Sequence, residues 1–215
     1  GVIGCTMAET VADTADVKVL NGSLDTKPVS GVSNTYMVKN DTFLIWDDYK
    51  QTGGIIGVVE NANCQIDNIH VIGMALRSYS HSGGVIGQIR ETTNKKYISI
   101  SNMVLDLVSQ SCNQKYETNS VGIKGLLLGK VEGNTIVRFD GNMDFSNTKW
   151  YWADLQNDPN NYHIGKNYLG AKTGNVGIIA GTQERAVIYM DKTCTYKPYK
   201  YNASDSYQTR RLRYV

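Results

Sequence analysis

The sequence predicts an all-β chain wound into a β-solenoid, and three observations carry the prediction. A five-residue phrase of glycines around aliphatic residues recurs about five times. Behind each copy, after a polar turn, apolar and polar residues alternate in the strand sense. No window of eleven residues shows a comparable 3.6-residue apolar stripe, while β-branched residues and tyrosine, 14 in number, are abundant.

Taken in order, the last glycines of the phrase are Gly4 in "GVIG", Gly57 in "GGIIG", Gly87 in "GGVIG", Gly129 in "GLLLG" and Gly181 in "GIIAG". They lie 53, 30, 42 and 52 residues apart. Unequal steps of this kind mean one core unit separated by loops of varying length. The alternating stretches that follow begin at Ala15, Asp67, Ser101, Asn134 and Arg185. Within them Val17 and Val19 flank Lys18, Ile69 and Val71 flank His70, and Val137 and Phe139 flank Arg138.

A pair of short strands cannot bury its own apolar face, but copies stacked along an axis bury a continuous interior. Equivalent positions then lie about 4.8 Å apart, the inter-strand spacing. Ile56, Ile86, Leu128 and Ala180 are expected to form one inward ladder. The glycines Gly4, Gly54, Gly57, Gly84, Gly87, Gly129 and Gly181 are read as architectural, placed where φ is positive or where backbones approach too closely for a Cβ. The competing reading of the same glycines is a set of hairpin turns in a β-sandwich, which would not need one repeated signature.

The expected organisation is a solenoid over 1–195 with a long insertion loop at 145–175, then a basic, Tyr-rich tail over 196–215. A chain of 215 residues, 41% hydrophobic and 20% charged, suits one substantial domain. Residue 1 is Gly and "GVIG" reads as the inside of a repeat, so the expectation is a piece of something longer. A net charge of +2 does not call for nucleic acid, and no apolar run reaches the roughly 20 residues of a membrane-spanning helix. The four cysteines, Cys5, Cys64, Cys112 and Cys194, form no Cys-x-x-Cys, and the three histidines form no metal-ligand pair. Sequons at Asn21, Asn40 and Asn202 fit a secreted surface, but their number is what chance provides in a chain rich in Asn, Ser and Thr.

The segment "GGIIGVVENANCQIDNIHVIG" resembles the GLUG repeat, in which Gly-aliphatic-aliphatic-Gly is followed by a turn and an aliphatic-x-Asn strand. The match is close over Gly53–Gly73 and Gly83–Leu107, and departs from the pattern at Gly129 and Gly181, where the Asn is missing. The resemblance implies a right-handed parallel β-helix in secreted or surface-displayed proteins of adhesin-like, protease-associated or polysaccharide-handling kind. That family has no universal catalytic residue, so none is carried over.

"GIKGLLLGKV" fails as a phosphate loop, because Lys124 stands where a glycine is needed and Val131 where Ser or Thr is needed. The insertion loop gathers Trp150, Tyr151, Trp152, Asp154 and Tyr162, aromatic faces and acceptors that suit a sugar. Equally, its tryptophans would serve to fold the loop against the solenoid flank. Asp140 and Asp144, with Asp106 on a neighbouring coil, are the only paired carboxylates worth testing for glycoside chemistry, and Asp is also an ordinary turn residue.

The expectation is therefore a non-catalytic structural or adhesive solenoid at the cell surface or outside the cell, with no cofactor and no metal. Its partners would be the rest of a parent chain or neighbouring subunits at the solenoid ends, and glycans or cell-surface proteins on the flank. A carbohydrate-binding or polysaccharide-degrading β-helix and a filament-forming module are the alternatives.

Overall fold

The computed structural model describes residues 2–8, 10, 12–25, 51–78, 81–112, 123–146, 169–170 and 176–197. Among them there are strands and no helix, and every strand pairing is parallel. The strands are β1 (Ile3–Thr6), β2 (Ala15–Asp25), β3 (Gln51–Gly53), β4 (Ile56–Val59), β5 (Ala62–Ser78), β6 (His81–Gly83), β7 (Ile86–Ile89) and β8 (Lys96–Cys112). They continue as β9 (Ile123–Gly125), β10 (Leu128–Glu132), β11 (Thr135–Asp144), β12 (Leu169–Gly170), β13 (Val176–Gly177), β14 (Ala180–Glu184), β15 (Val187–Met190) and β16 (Thr195–Lys197).

Three sheets result, ordered β13-β9-β6-β3, β1-β4-β7-β10-β14 and β15-β11-β8-β5-β2, with β12 beside β8 and β16 beside β11. The chain visits them in the same sequence on every circuit, so hydrogen-bonded neighbours are one circuit apart and the arrangement is solenoid-like. Ile3, Ile56, Ile86, Leu128 and Ala180 occupy one register column, which contains the expected aliphatic ladder. The middle three are completely buried. Parallel columns run Val17–Cys64–Ile98–Val137–Ile188 and Val19–Ile66–Ile100–Phe139–Met190. One contiguous apolar core threads all of them.

The glycine phrase is a place of close backbone approach. A Cβ on Gly53 would stand 1.8 Å from the Ile56 carbonyl oxygen and 2.7 Å from the Gly87 nitrogen, and one on Gly87 would stand 2.6 Å from the Gly57 carbonyl oxygen. Real Cβ atoms do not approach backbone that closely, so a side chain would push adjacent circuits apart. Gly54 and Gly84, by contrast, follow Gly53 and Gly83 as Leu126 follows Gly125 and Ile178 follows Gly177, so that position admits a side chain. At Gly4 a Cβ would meet nothing within 4 Å, because no circuit lies beyond it among the described residues.

The long strands of the third sheet bend at one column. Asn21, Asn68 and Asn102 have φ of 54°, 53° and 50°, the left-handed region that Asn tolerates best after Gly. In β11 the same level holds Gly141 at φ 64°, which explains how that circuit dispenses with the asparagine. The bend puts two consecutive residues outward, Asp67 and Asn68 in β5, before Ile69 and Val71 return to the core. Side-chain bonds knit the column: Asn68 Nδ2 donates to Asn21 Oδ1 at 2.9 Å, and the Asn142 backbone N–H donates to Asn102 Oδ1 at 3.1 Å.

Candidate functional surface

Outward side chains in a parallel stack repeat every 4.8 Å or so, so polar residues one circuit apart meet as neighbours. Two seams of such residues run along the stack. The first follows the asparagine bend. Asp67 Oδ1 accepts from Ser101 Oγ at 2.6 Å and from Asn102 Nδ2 at 2.9 Å. Farther along, Arg138 Nη2 donates to Asp140 Oδ2 at 2.7 Å and to Asp191 Oδ2 at 3.0 Å. Thr193 Oγ1 bonds the other oxygens of the same two carboxylates, at 2.6 Å and 2.8 Å. Lys197 Nζ lies 2.8 Å from Asp144 Oδ2, while the Ser146 hydroxyl donates to Asp144 Oδ1 at 2.6 Å.

These bonds all favour the ionised carboxylate. Asp67, Asp140 and Asp191 are held below the usual carboxylate range, the first by Ser101, the second by Thr193 and the third by the Thr193 backbone N–H. Asp144 is drawn down to about 2, chiefly by Lys197. Asp140 and Asp144, the pair tested for glycoside chemistry, are thus both anions tied to their own cations and hydroxyls. A glycosidic acid needs the opposite, a carboxyl kept protonated near neutrality.

The second seam runs along the β1-β4-β7-β10-β14 sheet and the turns that follow its strands. Glu132 accepts from Lys130 Nζ at 2.6 Å and from Gln88 Nε2 at 2.6 Å, and Lys130 also reaches Glu184 at 3.4 Å. Arg90 pairs with Glu60 at 2.8 Å, and Arg185 with Glu91. Burial is the main cause that pushes His81 down to about 4, helped by the Lys130 ammonium, so its imidazole is neutral over the physiological range. Lys96 is fully buried, in register with Thr135 of the next circuit. Its ammonium donates to Thr92 Oγ1 at 2.6 Å, and burial lowers its pKa. The Cys64 thiol, in the core between Val17 and Ile98, is pushed up to about 11 by burial and is unreactive for that reason. Cys5 and Cys194 also carry free thiols, raised by partial burial.

The aromatic cluster Trp150, Tyr151, Trp152, Asp154 and Tyr162 lies outside the described residues. Of residues 145–175, those described include Phe145, buried in the core, and Leu169–Gly170, which pairs with β8. Thr195–Lys197 pairs with β11, and the Tyr196 ring sits 6.1 Å from that of Phe145. Among the described residues no group of three or more His, Cys, Asp and Glu could hold a metal, and no helix is long and apolar enough to cross a membrane. Sequence reasoning singled out Asp140 and Asp144 but missed Asp191, Thr193 and Arg138 around the first and Lys197 and Ser146 beside the second. The only available signal was the alignment of "RFD" at 138–140 with "YMD" at 189–191, one circuit on. No protein-family model, no curated protein and no solved structure matches this chain.

Proposed function

We propose that the chain is a non-catalytic structural and adhesive segment of a larger secreted or cell-surface protein, folded as a right-handed parallel β-helix of about five irregular repeats. The observation that carries this reading is the use of the outward carboxylates. Asp140, Asp144, Asp191 and Glu132 are each neutralised by a cation or hydroxyl on the same or an adjacent circuit, and all four have lowered pKa values. Such seams stiffen a long flank while leaving none of these four acids poised to protonate a leaving group. A polar, ion-paired flank on a stacked sheet works by display and contact.

Incubation with polysaccharides is the direct test. The chain is expected to release no reducing ends, and Asp140→Asn and Asp144→Asn are expected to leave its attachment to cell or glycan surfaces unchanged. Reducing-end release that disappears in either variant would replace this reading with that of a polysaccharide-degrading β-helix.

A further inference from the structure

One corner of the stack is built differently from its equivalents. Counting β1 and β2 as the first circuit, two residues separate β4 from β5 in the second, β10 from β11 in the fourth and β14 from β15 in the fifth. In the third, six residues, 90–95, separate β7 from β8. The longer turn is spent on contacts that skip a circuit.

In one direction Asn94 Nδ2 donates to the Asp13 carbonyl oxygen at 3.1 Å, in the first circuit. In the other the Glu91 carboxylate pairs with Arg185 of the fifth. Its path crosses Gly133 of the fourth circuit, where a Cβ would stand 2.4 Å from Glu91 Cγ, so the missing side chain is what lets Glu91 pass. Asn134 Nδ2 steadies the turn from that same circuit, donating to the carbonyl oxygens of Thr93 at 3.1 Å and Thr92 at 3.4 Å. Thr92 lies between the two arms and is held from inside. The completely buried Lys96 donates from its ammonium to Thr92 Oγ1 at 2.6 Å, and that hydroxyl donates to the Asn94 carbonyl oxygen at 3.2 Å.

Strand hydrogen bonds reach one neighbour, about 4.8 Å away, so the third circuit shares no strand edge with the first or the fifth. A stack coupled only through nearest neighbours passes a disturbance along circuit by circuit. We infer that residues 90–95 form a strap, pinned by Lys96, that couples the third circuit directly to the first and to the fifth, past the circuits between. The strap rests on these contacts alone and holds whether or not the adhesive reading does.

Hydrogen exchange of the full chain, read amide by amide by NMR, tests each arm. Asn94→Ala is expected to speed exchange about 2- to 10-fold in the amides that tie the first circuit to the second, among them Ala15, which donates to the Asn61 carbonyl. Ile55 and Ile56, which tie the second circuit to the third through Val85, are expected to stay unchanged. Arg185→Ala is expected to speed the amides between β15 and β11 about 2- to 5-fold, with Val85 and Ile86, bonded to Leu127, unchanged. Lys96→Met, which keeps an apolar stem and deletes the ammonium, is expected to speed both outer sets together; if it loses its β-type circular dichroism, Thr92→Val takes its place. Intervening amides that accelerate as much as the outer ones in either single variant overturn the inference, because the disturbance then travels through the neighbouring circuit. So does a single variant that leaves its own outer set unchanged.

Discussion

Ile100 and Met190 share a register column two circuits apart, yet the first is completely buried and the second is 40% exposed. Gly87 and Gly4 make the same contrast in backbone terms, one wedged against the Gly57 carbonyl and the other facing nothing within 4 Å. The comparison teaches that no circuit of this molecule completes its own environment. Burial, steric demand and hydrogen bonding are supplied by the circuits above and below, so equivalent residues differ in importance according to how many neighbours their circuit has.

The largest effect expected from this contrast is in the core columns. Phe139→Ala should cost about 3–5 kcal/mol, whereas Met190→Ala in the same column should cost about 1 kcal/mol or less. Paired urea denaturation curves check this, and equal losses would mean that the end circuit is packed as tightly as the middle. Next comes the glycine column. Gly87→Ala should destabilise by about 1–3 kcal/mol through overpacking against backbone, while Gly4→Ala should stay within about 0.5 kcal/mol. A harmless Gly87→Ala would refute the close-approach account of the repeat.

The smallest effect is one of pH. His81 is neutral in the fold down to about 4 but takes a proton near 6.5 when unfolded, so its contribution is complete above 6.5 and is lost as pH falls from there to 4. The thermal midpoint should therefore decline across that window, and more shallowly in His81→Gln. Parallel profiles for the two proteins would show that His81 is not what titrates.

The aliphatic ladder was legible in the sequence because inward positions repeat at a fixed offset from each glycine, and Ile56, Ile86, Leu128 and Ala180 stand at that offset whatever the loop lengths between. The strand alternation around Ile69 and Val71 was legible for the same local reason. The asparagine of the repeat was visible but its purpose was not. Its absence in the circuit after Gly129 read as a departure from the pattern, whereas Gly141 takes the left-handed bend there by another chemical route. Lys96 would be placed on the surface by composition alone, and only the fold shows it buried in register with Thr135 with its ammonium on the Thr92 hydroxyl. The Asp140, Arg138, Asp191 and Thr193 cluster was hidden because its members come from places 53 residues apart.

By itself the sequence determined that the chain is all-β, where its strands recur and which residues point inward, since these depend on the two-residue period of a strand and on the spacing from a glycine. Only the tertiary structure decided which glycines have no room for a side chain and which carboxylates are already paired. Those properties belong to contacts between circuits 30 to 53 residues apart, whose register no local pattern encodes.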